Sequence, residues 1–390
     1  MNRKLEAHAT KFKTRKAFTM KKALLAITVT VVFCSSYAQS QTKFSRITTI
    51  AGSGKTGPAE TPGPAATLRA PTAVSISNPF GIEPDSKGNL IIASFDQHVI
   101  YRLSADRKLL ELIAGTGAEG MSGKTGDVAT AVAMNQPHEV RVDARDNIYI
   151  ADTRNNRVGL VDASGKWKAI AGTGEVGYAG DGRPAVDSKM NQAYSIAVDG
   201  SELFVADLMN HCIRKVDLTS GKIATICGNG KTGRPVDGAA ASEQALEGPR
   251  SLAIDKQNLW IVLREGNSVW RIDRTTGKIH HVAGSGQKGF EGDGADAKLC
   301  KLNGPKGAAV NPGVALYIAD TENHAIRMVD LNTNLVSTIA GSPKGEPGFN
   351  GDGDQPTTRL LKRPHGVCWL PSGELIVGDS ENHRVRVLTP

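Results

Sequence analysis

Ile50-Ala51-Gly52, Ile113-Ala114-Gly115, Ile170-Ala171-Gly172, Ile226-Cys227-Gly228, Val282-Ala283-Gly284 and Ile339-Ala340-Gly341 are six copies of one phrase: an aliphatic residue, then Ala or Cys, then Gly. Successive copies lie 63, 57, 56, 56 and 57 residues apart. So regular a period marks a tandem array of one supersecondary unit. The array is offset from its own phrase. The first copy has none of its unit before it, and the last unit runs to Pro390 without reaching a copy of its own.

Within a unit, short apolar runs alternate with turn residues. Between Pro137 and Gly172 the runs Glu139–Val142, Ile148–Ala151, Arg157–Val161 and Trp167–Ala171 are separated by Asp143–Asn147, Asp152–Asn156 and Asp162–Gly165. Four to six β-forming residues bounded by Gly, Asn and Asp predict an antiparallel four-stranded meander. No stretch after the first 38 residues carries a long helical period. A lone meander exposes two faces and two edges. Six of them packed around an axis bury the faces, which makes the expected fold class all-β, a six-bladed propeller. The leading segment Ile47–Ile50 is expected to complete the last blade beside His365–Trp369, Glu374–Val377 and Arg384–Leu388, closing the ring without a covalent bond. An open solenoid would need polar capping units, and neither end of the array resembles one.

Four units carry a shared turn: Asp152-Thr-Arg-Asn-Asn-Arg157-Val, Asp207-Leu-Met-Asn-His-Cys-Ile213-Arg, Asp320-Thr-Glu-Asn-His-Ala-Ile326-Arg and Asp379-Ser-Glu-Asn-His-Arg-Val385-Arg. On these residues the chain resembles the NHL repeat family over residues 44–390. The counterparts at Ser94–His98 and Leu263–Asn267 are degenerate. The resemblance implies a propeller, and such a fold hosts both binders and enzymes. In the turn itself, Asp and Asn fold onto nearby amides and tolerate left-handed φ, so pairs such as Asp207/His211, Asp320/His324 and Asp379/His383 read as turn chemistry rather than acid–base pairs.

Residues 1–38 read as an export signal, with 1–19 lying upstream of a better start at Met20-Lys21-Lys22. An eleven-residue apolar run, Ala23–Phe33, and the small-residue site Ser36-Tyr37-Ala38 follow. The run is too short to span a bilayer. The expectation is therefore a periplasmic or extracellular single domain, residues 39–390, acting as a monomer without a membrane span. The formal charge of +8 misleads, because residues 1–38 hold eight Lys or Arg and one Glu. Past them 39 basic residues face 38 acidic ones, close to neutral. That balance removes the electrostatic case for nucleic acid.

Several strings imitate chemistry. Gly-Lys-Thr-Gly at 54–57, 123–126 and 230–233 lacks both the earlier Gly and the following helix of a phosphate loop. Gly172-x-Gly174-x-x-Gly177 and Gly284-x-Gly286-x-x-Gly289 lack a βαβ context. The Asp-Gly pairs at 181, 237, 293 and 352 read as turns. Asn350, Asp352 and Asp354 alternate like the start of a calcium loop, but position twelve is Leu361 rather than Glu. Cys212 would face Cys227 if Asp217 pairs with Lys222, permitting a cross-strand disulfide; two buried thiols are the alternative.

Function is sought at matched positions that differ between units. Inner strands line the axial channel, and their starts are Phe80, His138, Tyr194, Arg250, Lys306 and His365. His138, Tyr194, Arg250, Lys306 and His365 converging on one mouth form a candidate ligand site. The expectation is a binding or scaffold module that presents its loop-rich top face to a protein, peptide or small molecule, with no assigned cofactor. The alternative is a metal-dependent lyase or hydrolase. Peptide-amidating lyases are similar propellers, and that likeness implies zinc on His138 and His365 with Tyr194 and Arg250 nearby. Catalytic zinc wants a third ligand. A lactonase-type site wants an inner-strand Glu and Asn pair, and strand alternation points Glu139 away from the channel.

Overall fold

Each copy of the aliphatic-Ala/Cys-Gly phrase ends the outermost strand of an antiparallel sheet, and the sheets are the six blades of a propeller. The computed structural model describes residues 44–60 and 70–390. The expected export signal lies outside the described residues. Blade 1 comprises Pro79–Pro84, Leu90–Ser94, Val99–Leu103 and Leu110–Ala114; blade 2 comprises Pro137–Val142, Ile148–Asp152, Arg157–Val161 and Trp167–Ala171. Blades 3, 4 and 5 begin at Ala193, Pro249 and Gly307 and end at Cys227, Ala283 and Ala340. Among the described residues no helix is long and apolar enough to cross a membrane.

Blade 6 is built from both ends of the array. Val367–Trp369, Leu375–Asp379 and Arg384–Thr389 are joined by Arg46–Ala51, which pairs antiparallel with the last of them. Ile47 lies opposite Leu388, and Thr48 opposite Val387. The free edge of the leading strand is capped by the two-residue strand Gly353–Asp354. Phe44 anchors it by packing edge-on against Tyr317 and Trp369, with ring centroids 6.1 and 6.4 Å away. Burying Phe44 and Ile47 contributes roughly 1.5–3 kcal/mol each. The strand expected from His365 begins later, at Val367, so His365 stands just ahead of it.

Apolar residues on both faces of each blade form six clusters, one for every pair of neighbouring blades. The cluster between blades 6 and 1 includes Ile50 and Ala51 of the leading strand, beside Val385, Ile82 and Tyr101.

The repeated turn also joins blades. The residue before the third strand adopts left-handed φ in every blade, at His98, Asn156, His211, Asn267, His324 and His383, and in all but blade 4 it follows a short 3-10 turn. Five of these accept a backbone N–H from the next blade. The donors are Gln136 to His98 Nδ1, Gln192 to Asn156, Gly304 to Asn267, Arg363 to His324 Nδ1 and Asn78 to His383 Nδ1, at 2.8–3.2 Å. The turn Asp is buried. Asp379 accepts from Lys362 N and Asn382 Nδ2, and Asp320 from Asn303 N and Asn323 Nδ2.

A buried arginine ties this turn to the long connection on the same face. Arg214, Arg327 and Arg386 pair with Asp207, Asp320 and Asp379 at 3.4–3.5 Å. Their other nitrogens reach Asp181, Asp293 and Asp352 of the Asp-Gly pairs at 2.6–3.0 Å. Tyr178, Phe290 and Phe349 stack on the three guanidiniums at 5.0–5.1 Å. These Asp-Gly carboxylates are thus engaged by arginine. Blade 4 inverts the arrangement: Leu263 replaces the buried Asp, Trp270 replaces the Arg, and the connection supplies Arg234 over the Trp270 ring at 5.7 Å. A buried guanidinium without its carboxylate would be costly, and the two are absent together.

The phrase glycine is required where the turn of its own blade packs against it. Gly172 has φ +88°, and a Cβ there would lie 2.3 Å from the Asn156 carbonyl oxygen. Gly182 has φ +79° with open space around it. Gly172→Ala is expected to destabilise by roughly 3 kcal/mol and Gly182→Ala by roughly 1 kcal/mol, because only the first adds a clash to the left-handed penalty. Urea unfolding of the two variants checks this; equal losses would contradict it.

Candidate functional site

The inner strands of blades 1 to 4 each carry a register shift at their start, between Pro79 and Ile82, Pro137 and Glu139, Ala193 and Ser195, and Pro249 and Ser251. A bulge there re-aims side chains toward the axis. The six expected positions come together, with Lys306 and His365 standing just ahead of the inner strands of blades 5 and 6. Phe80 stacks on His365 with ring centroids 4.0 Å apart, His138 lies 3.7 Å from Tyr194 and 4.7 Å from Phe80, and Arg250 sits 4.7 Å over Tyr194. Lys306 Nζ is 3.1 Å from His365 Nε2. Phe95 closes the aromatic cluster against Phe80 at 4.4 Å.

The bulge at His138 also overturns the expectation for Glu139. Two consecutive residues face the channel, and Glu139 lines the same small axial cavity as His138, Arg141, Ser251, Lys306 and His365. At about 10 Å³ that cavity has room for about one water. Its floor is an ion pair, Arg141 to Glu139 at 2.6 Å. Ser195 Oγ donates to Glu139, and the guanidinium also donates to Leu252 O.

Burial, reinforced by Arg250, Lys306 and Arg141, holds the His138 imidazole well below its usual range. Burial and Lys306 do the same for His365. Lys306 itself is lowered to about 8 by burial and by Arg363, against the pull of Glu322. His138 is 3 % exposed, and neither ring nitrogen has a protein partner.

The two histidine rings stand 6.3 Å apart; His365 Nδ1 is 2.9 Å from Arg363 O and its Nε2 faces the Lys306 ammonium. Among the described residues no three His, Cys, Asp or Glu side chains group as ligands. The thiols of Cys212 and Cys227 are free and buried. Asp217 pairs with Lys222 as expected, but a shift between Ile213 and Arg214 sets Cys227 opposite Ile213 rather than Cys212.

The sequence reading missed the charged rim. Arg363 donates to Glu322 at 2.8 Å and to Glu381 at 2.7 Å, Lys306 pairs with Glu322 at 3.4 Å, and Arg264 bridges Glu322 and Glu265. Arg250 pairs with Glu265 at 3.1 Å. Glu322 and Glu381 are the variable residues between Asp and Asn of the repeated turn, so the signal lay where the motif varies. Arg363 holds Glu322 down to about 2 against burial.

The NHL repeat model matches residues 134–159 and 361–388. Human NHL repeat-containing protein 2 is 27% identical over 281 residues, covering 65% of this chain and 38% of that protein. Arabidopsis thaliana protein SUPPRESSOR OF QUENCHING 1, chloroplastic, is 28% identical over 263 residues, covering 61% and 24%. The chain thus matches well under half the length of these curated relatives. Among solved structures, an auxiliary nutrient binding protein from Bacteroides thetaiotaomicron shares the fold with a TM-score of 0.61 at 16% identity, covering 89% of this chain and 76% of that one. The chain is a six-bladed β-propeller that carries NHL repeats at residues 134–159 and 361–388.

Proposed function

We propose that this protein is an exported ligand-binding module whose site is the loop-side mouth of the channel, and that the ligand is a small molecule carrying an anionic group. The observation that carries the reading is His138: a buried imidazole with two unpartnered nitrogens, set among Tyr194, Arg250 and Lys306. Around it the cations Arg250, Arg264, Lys306 and Arg363 outnumber the carboxylates Glu265, Glu322 and Glu381 by one. The aromatic shelf of Phe80, Phe95 and Tyr194 supplies an apolar surface. The sheets fix this geometry and the connections vary around it, a division that suits recognition. The same fold serves an auxiliary nutrient binding protein.

Benzoate at low ionic strength is expected to raise the melting temperature of the 39–390 chain saturably, by about 2–4 °C. Benzyl alcohol should not, and Lys306→Met with Arg250→Met should abolish the benzoate effect. An equal shift in the double variant, or none in the native chain, would contradict the reading. Export is tested by expressing the full chain and determining the N-terminus of the product. A new terminus at Gln39 outside the cytoplasm is expected, and an uncleaved cytoplasmic chain would refute it.

A further inference from the structure

The axial channel has a second end. The inner strands run from the loop-side mouth to the opposite face, and their far halves line a cavity of about 140 Å³ to which all six blades contribute. Its apolar side chains are Pro84, Val198, Ile254, Val310 and Trp369. Polar groups enter from blades 1, 2 and 6 as Glu83, Arg141 and Cys368.

Arg141 is already engaged. Its Nη1 donates to Glu139 at 2.6 Å and to Val140 O at 2.8 Å, and its Nη2 donates to Leu252 O at 2.9 Å. Glu83 is held more loosely: its side chain is half-buried, and Arg141 Nη1 and Cys368 Sγ each lie 3.9 Å from its carboxylate, too far for a strong hydrogen bond. The buried carboxylates of the repeated turn, by contrast, each accept several donors within 3 Å. With Glu83 and Glu139 ionised and Arg141 charged, the site carries one net negative charge, and that charge faces the cavity.

We propose that this cavity is a second binding site, one that takes a small organic cation: an ammonium group on the Glu83 carboxylate, with an apolar body against Val198, Ile254, Val310 and Trp369. The ammonium supplies the short, charge-assisted donors that Glu83 lacks. An indole wall favours a cation over an anion. An anionic ligand would meet a guanidinium already neutralised by Glu139. A metal ion would find one carboxylate and no further ligand set. The site is at the opposite end of the axis from the loop-side mouth and does not depend on what binds there.

The groups facing Glu83 are Arg141 and Glu139 from blade 2 and Cys368 from blade 6. Burial raises Glu83 to about 7, Arg141 draws it back, and Glu139 raises it further. The Cys368 thiol is pushed well above its ordinary range and stays neutral. An ammonium needs Glu83 ionised, so binding strengthens as pH rises through about 7 and weakens below it.

The test is a titration of the 39–390 chain with n-butylammonium, read by calorimetry and by tryptophan emission, since Trp369 lines the cavity. n-Butanol and butyrate serve as the uncharged and oppositely charged probes of the same shape. Saturable binding of butylammonium is expected, at least about tenfold tighter than butanol, with no binding of butyrate. Affinity should be higher at pH 8 than at pH 6, and Glu83→Gln, which keeps the side-chain shape, should remove the preference for the amine and the pH dependence. Equal affinity for butylammonium and butanol in the native chain overturns the proposal without any variant. So does binding of butyrate, no binding of any probe at millimolar concentration, or an unchanged amine preference in a folded Glu83→Gln protein.

Discussion

The pairing of Arg46–Ala51 with Arg384–Thr389 is the constraint on which the rest of this structure depends. Each blade buries its faces against two neighbours, so the first and last blades are stable only if they meet. The leading strand makes that meeting possible: it finishes the sheet of blade 6 and contributes Ile50 and Ala51 to the cluster shared with blade 1. His383 then spans the same joint by accepting from Asn78 N, as four of the other turn residues do elsewhere in the ring. A channel with defined walls exists only because this circle is complete.

Polar chemistry in the molecule sorts into two kinds. The Arg–Asp–aromatic clamps recur from blade to blade and pin the connections to the sheets, and where blade 4 lacks the carboxylate it also lacks the buried guanidinium. The channel groups do not recur. The six blades offer five different residue types at the tops of their inner strands, and the second layer of Glu83, Glu139 and Arg141 is equally irregular. Repetition serves the scaffold, and departure from repetition is where a ligand would be recognised. Fold similarity to binding proteins at low identity speaks only to the scaffold.

The fold was legible because spacing and turn chemistry are local. The phrase glycine, the turn Asp and Asn, and strands such as Arg157–Val161 could be read from single windows, and so could the leading strand, from the offset of the array. The six mouth residues were legible by aligning units. What could not be read depended on bulges. One extra residue at His138 turns Glu139 toward the axis against simple alternation, and one at Ile226 moves Cys227 off Cys212. The rim carboxylates Glu322 and Glu381 were hidden for a different reason: they sit inside a turn whose other residues are structural. Glu83 and Cys368, 285 residues apart in the chain, meet where blade 6 closes on blade 1, a contact no local pattern encodes.

Ring closure is tested most directly by removing the closing strand and returning it. A chain beginning at Ser53 should self-associate in sedimentation velocity and lose its single cooperative melt, and a peptide spanning residues 44–52, added in excess, should restore a monomer that melts as one unit. A truncated chain that is monomeric without the peptide and melts at the temperature of the intact protein would contradict the account.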